Sequence, residues 1–159
     1  PLYLMARGGS AAGGGAAIFL FRAAAAIGVF VGGPLADRVG HRAVFLGSFL
    51  LPLPCFAVFF GGHPAAMLAL GLGAAVMATS TSVNTVLAQQ AMPRNQAMAS
   101  GLMIGVGWAL GSLSVTAIGF MADRLGILLA LPIATFALTA AGFFACLPLL
   151  SRHIQNRGA

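Results

Sequence analysis

Two aspartates and eight arginines carry all the formal charge of these 159 residues, a net +6. Both aspartates sit in a repeated octapeptide, GPLADRVG at Gly33 to Gly40 and GFMADRLG at Gly119 to Gly126, whose copies match at five of eight positions. An adjacent carboxylate and guanidinium bounded by glycines can make and break ion pairs, fix a turn, or set topology by charge. It offers no second acid for general acid–base chemistry. Arg22 is the other charged candidate, because it interrupts an apolar run 11 residues before Gly33. At 1.5 Å per helical residue that is about 16 Å from the run's end, near the middle of a bilayer. An arginine there costs about 2.5 to 3.5 kcal/mol on insertion scales, so it should face a polar cavity, an anionic ligand or a carboxylate. The plainer reading is a tilted helix from which the guanidinium snorkels to an interface.

Long apolar runs must position these residues. The sequence is 60% hydrophobic and 6% charged, with a mean hydropathy of +1.00, far from the soluble average of about 25% charged. Between Arg42 and Arg94 lie 51 residues without formal charge, and 95–122 and 125–151 are equally free of it. A membrane helix needs about 20 apolar residues, so the chain predicts five spans at 11–32, 43–60, 65–88, 97–121 and 125–150. Pro52 and Pro54 should bend the second. Three runs separate the two octapeptides, which puts them on opposite faces of the membrane, the mark of an inverted repeat. Placing the first octapeptide inside gathers Arg38, Arg42, Arg94, Arg152 and Arg157 there against Arg7 and Arg124 outside, so the C-terminus is expected in the cytoplasm. Ala97, Gly101, Gly105 and Ala109 recur every fourth residue and predict a helix-packing stripe.

Several functions are disfavoured. The arginines are scattered singly and form no nucleic-acid stripe. Cys55 and Cys146 lack metal-ligand or CxxC spacing, and GGSAAGGG at Gly8 to Gly15 lacks the Lys and Ser/Thr of a phosphate loop. No paired acids, HExxH or Ser/His arrangement suggests an enzyme, and no cofactor or metal is implied. Polar residues within the runs are Asn84, Thr85 and Gln89, preceded by Thr79, Ser80, Thr81 and Ser82. Asn84 could line a polar cavity or bond to another helix, and Trp108 could stack on a ligand or pack. PLYLM, which opens the sequence without an initiator Met, reads as the last turn of a helix begun earlier. No cleavable signal is recognisable.

GPLADRVGHR, Gly33 to Arg42, resembles the loop signature G-x-x-x-D-[RK]-x-G-[RK]-[RK] of the major facilitator superfamily, with Gly33, Asp37, Arg38, Gly40 and Arg42 matching and His41 at one basic position. Val86 to Leu113 is similar to the fosmidomycin-resistance branch, with Gln90 where that branch often carries an acid. The resemblance implies an all-α polytopic membrane protein, five helices making most of one six-helix half: the end of helix 7 and helices 8 to 12. It implies an inner-membrane transporter whose partners are the lipid bilayer, an N-terminal six-helix half, a small organic or anionic drug-like substrate and protons. The loop aspartate would engage a neighbouring helix end and a basic residue, holding one access state closed. Arg22, Asn84 and Trp108 are then candidate cavity residues, and no coupling acid lies within these spans. The expected activity is proton-coupled efflux; a metabolite importer and a non-transporting scaffold or remnant are the alternatives.

Overall fold

The computed structural model describes the backbone of residues 2–155 and the side chains through Phe144. Cys146, Arg152 and Arg157, named above, lie outside the described side chains. The described chain is helical throughout: α1 (Leu2–Ala6), α2 (Ala11–Val39), α3 (His41–Leu50), α4 (Pro52–Gly61), α5 (Ala66–Ala91), α6 (Gln96–Leu125) and α7 (Ile127–Gln155). Five helices are long and apolar enough to cross a membrane, with α3 and α4 together forming one of them. This is the all-α polytopic architecture expected.

The end of α2 departs from expectation, because the glycines and proline after residue 32 read as loop, while α6 exceeds its expected end by four residues. Helix α2 runs on to Val39 and α6 to Leu125, so most of each octapeptide is helix and only Gly40 and Gly126 turn the chain. The break within the second span falls at Leu51, which keeps helical dihedrals (φ −66°, ψ −31°). Pro52 supplies no backbone donor to the turn before it, so the hydrogen-bond ladder lapses there while the chain direction persists.

Parallel helices α2 and α5 form the central contact. Ala24 meets Gly71, Gly28 meets Ala75 and Gly32 meets Thr79, and one step further Ala36 and Val83 share a buried cluster with Val44. Every residue in this series is four from the next, so each helix presents one narrow face. A Cβ built on Gly28 would overlap the Ala75 carbonyl, and one on Gly32 would lie 2.6 Å from the Thr79 carbonyl oxygen. Ser82 Oγ also donates to the Val29 carbonyl across this seam. Lipid supplies no hydrophobic drive between helices, and this close approach gives van der Waals contact in its place.

A second cluster closes the bundle end at which α2 begins, where Tyr3, Ala17, Phe56, Phe59 and Leu70 are buried with Phe21, Phe60, Leu131 and Phe136 around them. Tyr3 Oη (3.2 Å) and Arg7 Nη2 (2.7 Å) both donate to the Phe60 carbonyl near the C-terminus of α4, while Arg7 lies 5.3 Å from the centre of the Tyr3 ring. A cation on orphan helix carbonyls is favoured by the dipole.

Helix α6 packs only on α5 and α7 among the described residues. Ala99 is its one buried residue, and nothing lies within 4 Å of a Cβ built on Gly101 or Gly105. The predicted stripe Ala97, Gly101, Gly105 and Ala109 is exposed and meets no other helix among the described residues; the close-approach stripe seen there is the one on α2. Gly28→Ala is expected to cost about 1 to 3 kcal/mol by overpacking, lowering the melting temperature of the purified chain by several degrees. Gly15→Ala, with open space around it, should leave melting unchanged or raise it.

Candidate functional site

Both octapeptides fold into the same local structure. Gly40 has φ 92°, ψ 141° and Gly126 has φ 81°, ψ 147°, a region in which a Cβ is strained. Gly40 N donates to the Ala36 carbonyl and Gly126 N to the Ala122 carbonyl, each at 2.9 Å. The shared Ala, Asp, Arg and Gly thus encode a helix end that stops in one residue and starts the next helix immediately. Because α3 with α4, α5 and α6 intervene, one after another and reversing at each turn, the two ends lie at opposite ends of the bundle.

The charged residues of the two turns are exposed. Arg38 and Arg124 stand in last helical turns, where a cation complements the carbonyl end of the dipole. Arg124 also lies 4.8 Å from the centre of the Phe120 ring. Asp37 and Asp123 stand in the same last turns, at the end the dipole makes unfavourable to a carboxylate. Asp37 does not cap α3, which begins at His41 with Gly40 at its N-cap and no side-chain cap. The expected engagement of Asp37 with a neighbouring helix end is not made within the described residues. Gly33 and Gly119 are helical with nothing within 4 Å of a built Cβ, so backbone geometry does not require them.

Arg22, Asn84 and Trp108 are not brought together. Arg22, exposed, borders a cavity of about 290 Å³ with Tyr3, Ala17, Ile18 and Leu131. Trp108 lines a separate open groove of about 460 Å³ between α5 and α6, with Thr81, Thr85 and Ser112. Asn84 is half-buried and lines neither. Thr85 Oγ1 donates to the Thr81 carbonyl and Ser112 Oγ to the Trp108 carbonyl, both at 2.9 Å, which leaves their lone pairs facing outward as acceptors. Gln89 Nε2 donates to Ser100 Oγ at 2.9 Å and ties α5 to α6 next to the turn joining them. Sequence reasoning missed the Tyr3–Arg7–Phe60 clasp and the Gly28–Gly32 seam. The seam was detectable from four-residue spacing; the clasp, which joins residues more than 50 apart, left no sequence signal.

Three known proteins are similar to this chain. An uncharacterized MFS-type transporter of Bacillus subtilis (strain 168), YfnC, is 40% identical over 111 residues, 69% of this chain and 27% of that protein. The chain is thus similar to carriers of the major facilitator type. The fosmidomycin resistance protein of Escherichia coli (strain K12) is 31% identical over 121 residues, 75% of this chain and 30% of its own length. The minor myo-inositol transporter IolF of B. subtilis is 36% identical over 107 residues, 65% of this chain and 24% of its own length. The matches span less than a third of each relative. No family model matches the chain, and no solved structure does.

Gly40→Ala and Gly126→Ala are expected to destabilise the fold by similar amounts, about 1 to 3 kcal/mol each for a side chain in a region reserved for glycine. Gly33→Ala and Gly119→Ala should be neutral in thermal melting of the same purified chain.

Proposed function

We propose that this chain is most of one six-helix half of a secondary active transporter of the major facilitator type, working by alternating access in a bacterial inner membrane. The observation that supports this best is the repeated helix end, the same turn built twice at opposite ends of one bundle, in a chain similar to transporters. Two repeats of opposite topology give a carrier two related conformations, one open to each side. The other half, a small-molecule substrate and protons are its partners in this reading. The arginine count puts the first turn and the C-terminus in the cytoplasm.

Asp37 serves as half of a latch. It is exposed, at the unfavourable end of a helix dipole, and without a hydrogen-bond or ion-pair partner in the described chain. A partner across the interface between halves would be favoured in one access state alone, and a bond worth about 1.4 kcal/mol shifts a two-state equilibrium tenfold. Arg38 and Arg42 contribute charge beside it. Gly33, having no conformational duty in this chain, is reserved for close approach of that partner.

Efflux of a small organic or anionic drug-like molecule, in exchange for protons, is the direction supported by likeness to the fosmidomycin resistance protein. Uptake of a metabolite is supported by likeness to the myo-inositol transporter. Transport by the full-length protein in oriented vesicles separates the two: proton-driven extrusion supports the first, and accumulation of a polyol supports the second. Asp37→Asn should slow that transport about tenfold, equivalent to 1.4 kcal/mol, with protein level unchanged, while Asp123→Asn should leave it within about twofold. Single cysteines at Val39 and Leu125, in a background without Cys55 and Cys146, should react with an impermeant maleimide from opposite sides. Labelling from one side only would overturn the inverted repeat.

A further inference from the structure

The groove between α5 and α6 presents polar groups at a depth where lipid cannot satisfy them. Trp108, Gly111 and Ser112 stand halfway along α6 (Gln96–Leu125), and Thr81 lies just past the midpoint of α5 (Ala66–Ala91). The centre of a spanning helix is near the bilayer midplane. Tryptophan is ordinarily found at the membrane interfaces, where its ring meets hydrocarbon and its N–H meets water. Trp108 is instead 69% exposed at midspan, and its indole N–H makes no hydrogen bond among the described residues. The Thr81 hydroxyl is equally without a partner there. A donor left bare in hydrocarbon costs free energy, and a lipid tail has no acceptor to offer it. Thr85 and Ser112 supply the complement: their hydroxyl protons are committed to helix carbonyls, which leaves oxygen lone pairs that accept. Gly107 and Gly111, with nothing within 4 Å of a built Cβ, leave the wall beside the ring free of side-chain bulk.

Charge narrows the occupant further. No residue lining the groove is ionisable, and Arg22 borders a different cavity. An anion here would lack a counter-charge, and an unpaired charge out of water is costly. Asp37 and Asp123 stand in last helical turns at the ends of the bundle, so an organic cation would rest on the Trp108 ring alone, in a chain whose net charge of +6 repels it. A neutral solute meets neither penalty. From these observations we infer that the groove binds an uncharged polyhydroxylated solute, of the monosaccharide or cyclic-polyol class, with a C–H face on the Trp108 ring and its hydroxyls shared among Trp108 Nε1, Thr81, Thr85 and Ser112. Hydroxyls both donate and accept, which matches the mixture the groove presents. Its volume of about 460 Å³ falls within the range of small-molecule sites, about 300 to 1,000 Å³. The inference rests on the reading of the chain as part of a carrier, whose substrate sits near the midplane, and it assigns this groove to the neutral substrate class over the anionic one.

Equilibrium binding to the purified full-length protein tests this apart from transport. Glucose and myo-inositol are the neutral probes, and glucuronate and glucosamine are charged probes of similar size. One or both neutral probes should bind, about tenfold more tightly than either charged one. Trp108→Ala should raise the Kd about tenfold, and Thr85→Val about threefold. Trp108→Phe, which keeps a ring and loses the N–H, should raise it about threefold and serves if Trp108→Ala does not fold. Ser114→Ala removes a hydroxyl that makes the same bond to its own helix outside the groove, and should leave the Kd within about twofold. Tighter binding of glucuronate or glucosamine than of both neutral probes, no binding of either neutral probe, or an unchanged Kd in folded Trp108→Phe and Thr85→Val proteins would overturn the inference. Neutral binding that weakens in these variants, with no solute movement in oriented vesicles, would uphold the groove and sink the transporter reading. Solute movement with none of these binding effects would do the reverse.

Discussion

The fold depends on one close approach, that of the α2 and α5 backbones at Gly28, Gly32, Ala75 and Thr79. In water, helices are pushed together by the release of apolar surface from solvent, but lipid tails are as apolar as leucine and provide no such push. What holds two apolar helices is the contact left when side chains are small enough to let backbones meet. The other named features follow from this seam. Because α2 and α5 are parallel and separated by one return, α3 with α4 must cross back beside them, and Ala36 near the end of α2 is buried together with Val83 of α5 and Val44 of α3. The first Asp-Arg turn is thereby anchored within one helical turn of a packed residue, while its charged side chains remain outside.

Element existence and topology were legible from the sequence because they follow from bulk quantities. Charge-free intervals counted the spans, Pro52 located the lapse in the second, and the octapeptide announced the duplication. Each of these signals is local or compositional. The extent of α2 was misread from Gly33 onward, because glycine and proline in GGPLADRVG look like a loop when only propensity is weighed. Pro34 fits inside α2 all the same, since an apolar environment without water leaves the backbone no better partner than its own helix.

The candidate site was less legible, and the reason is geometric. Arg22, Asn84 and Trp108 were each singled out for an unusual residue type in an apolar run, yet which way a side chain faces depends on which helix lies beside it. Arg22 borders the cavity beside Tyr3 and Leu131, Trp108 the groove between α5 and α6, and Asn84 neither. A stripe of small residues poses the same difficulty. Ala97, Gly101, Gly105 and Ala109 have the same spacing as Ala24, Gly28, Gly32 and Ala36, and among the described residues only the second set meets another helix. Spacing identifies a face that can be approached; it does not say what approaches it.

Asp37 and Arg22 illustrate two different ways for a charge to be left unsatisfied. Arg22 is well along an apolar helix, where an unpaired cation costs several kcal/mol, and it makes no hydrogen bond or ion pair among the described residues. Asp37 is exposed at a helix end, where the cost of standing alone is about 0.3 to 1 kcal/mol and water remains as a partner. A contact that can be lost so cheaply is suited to being made in one conformation and broken in another. The small penalty at Asp37 therefore fits the proposed latch, whereas the larger one at Arg22 does not suit a contact that is repeatedly broken.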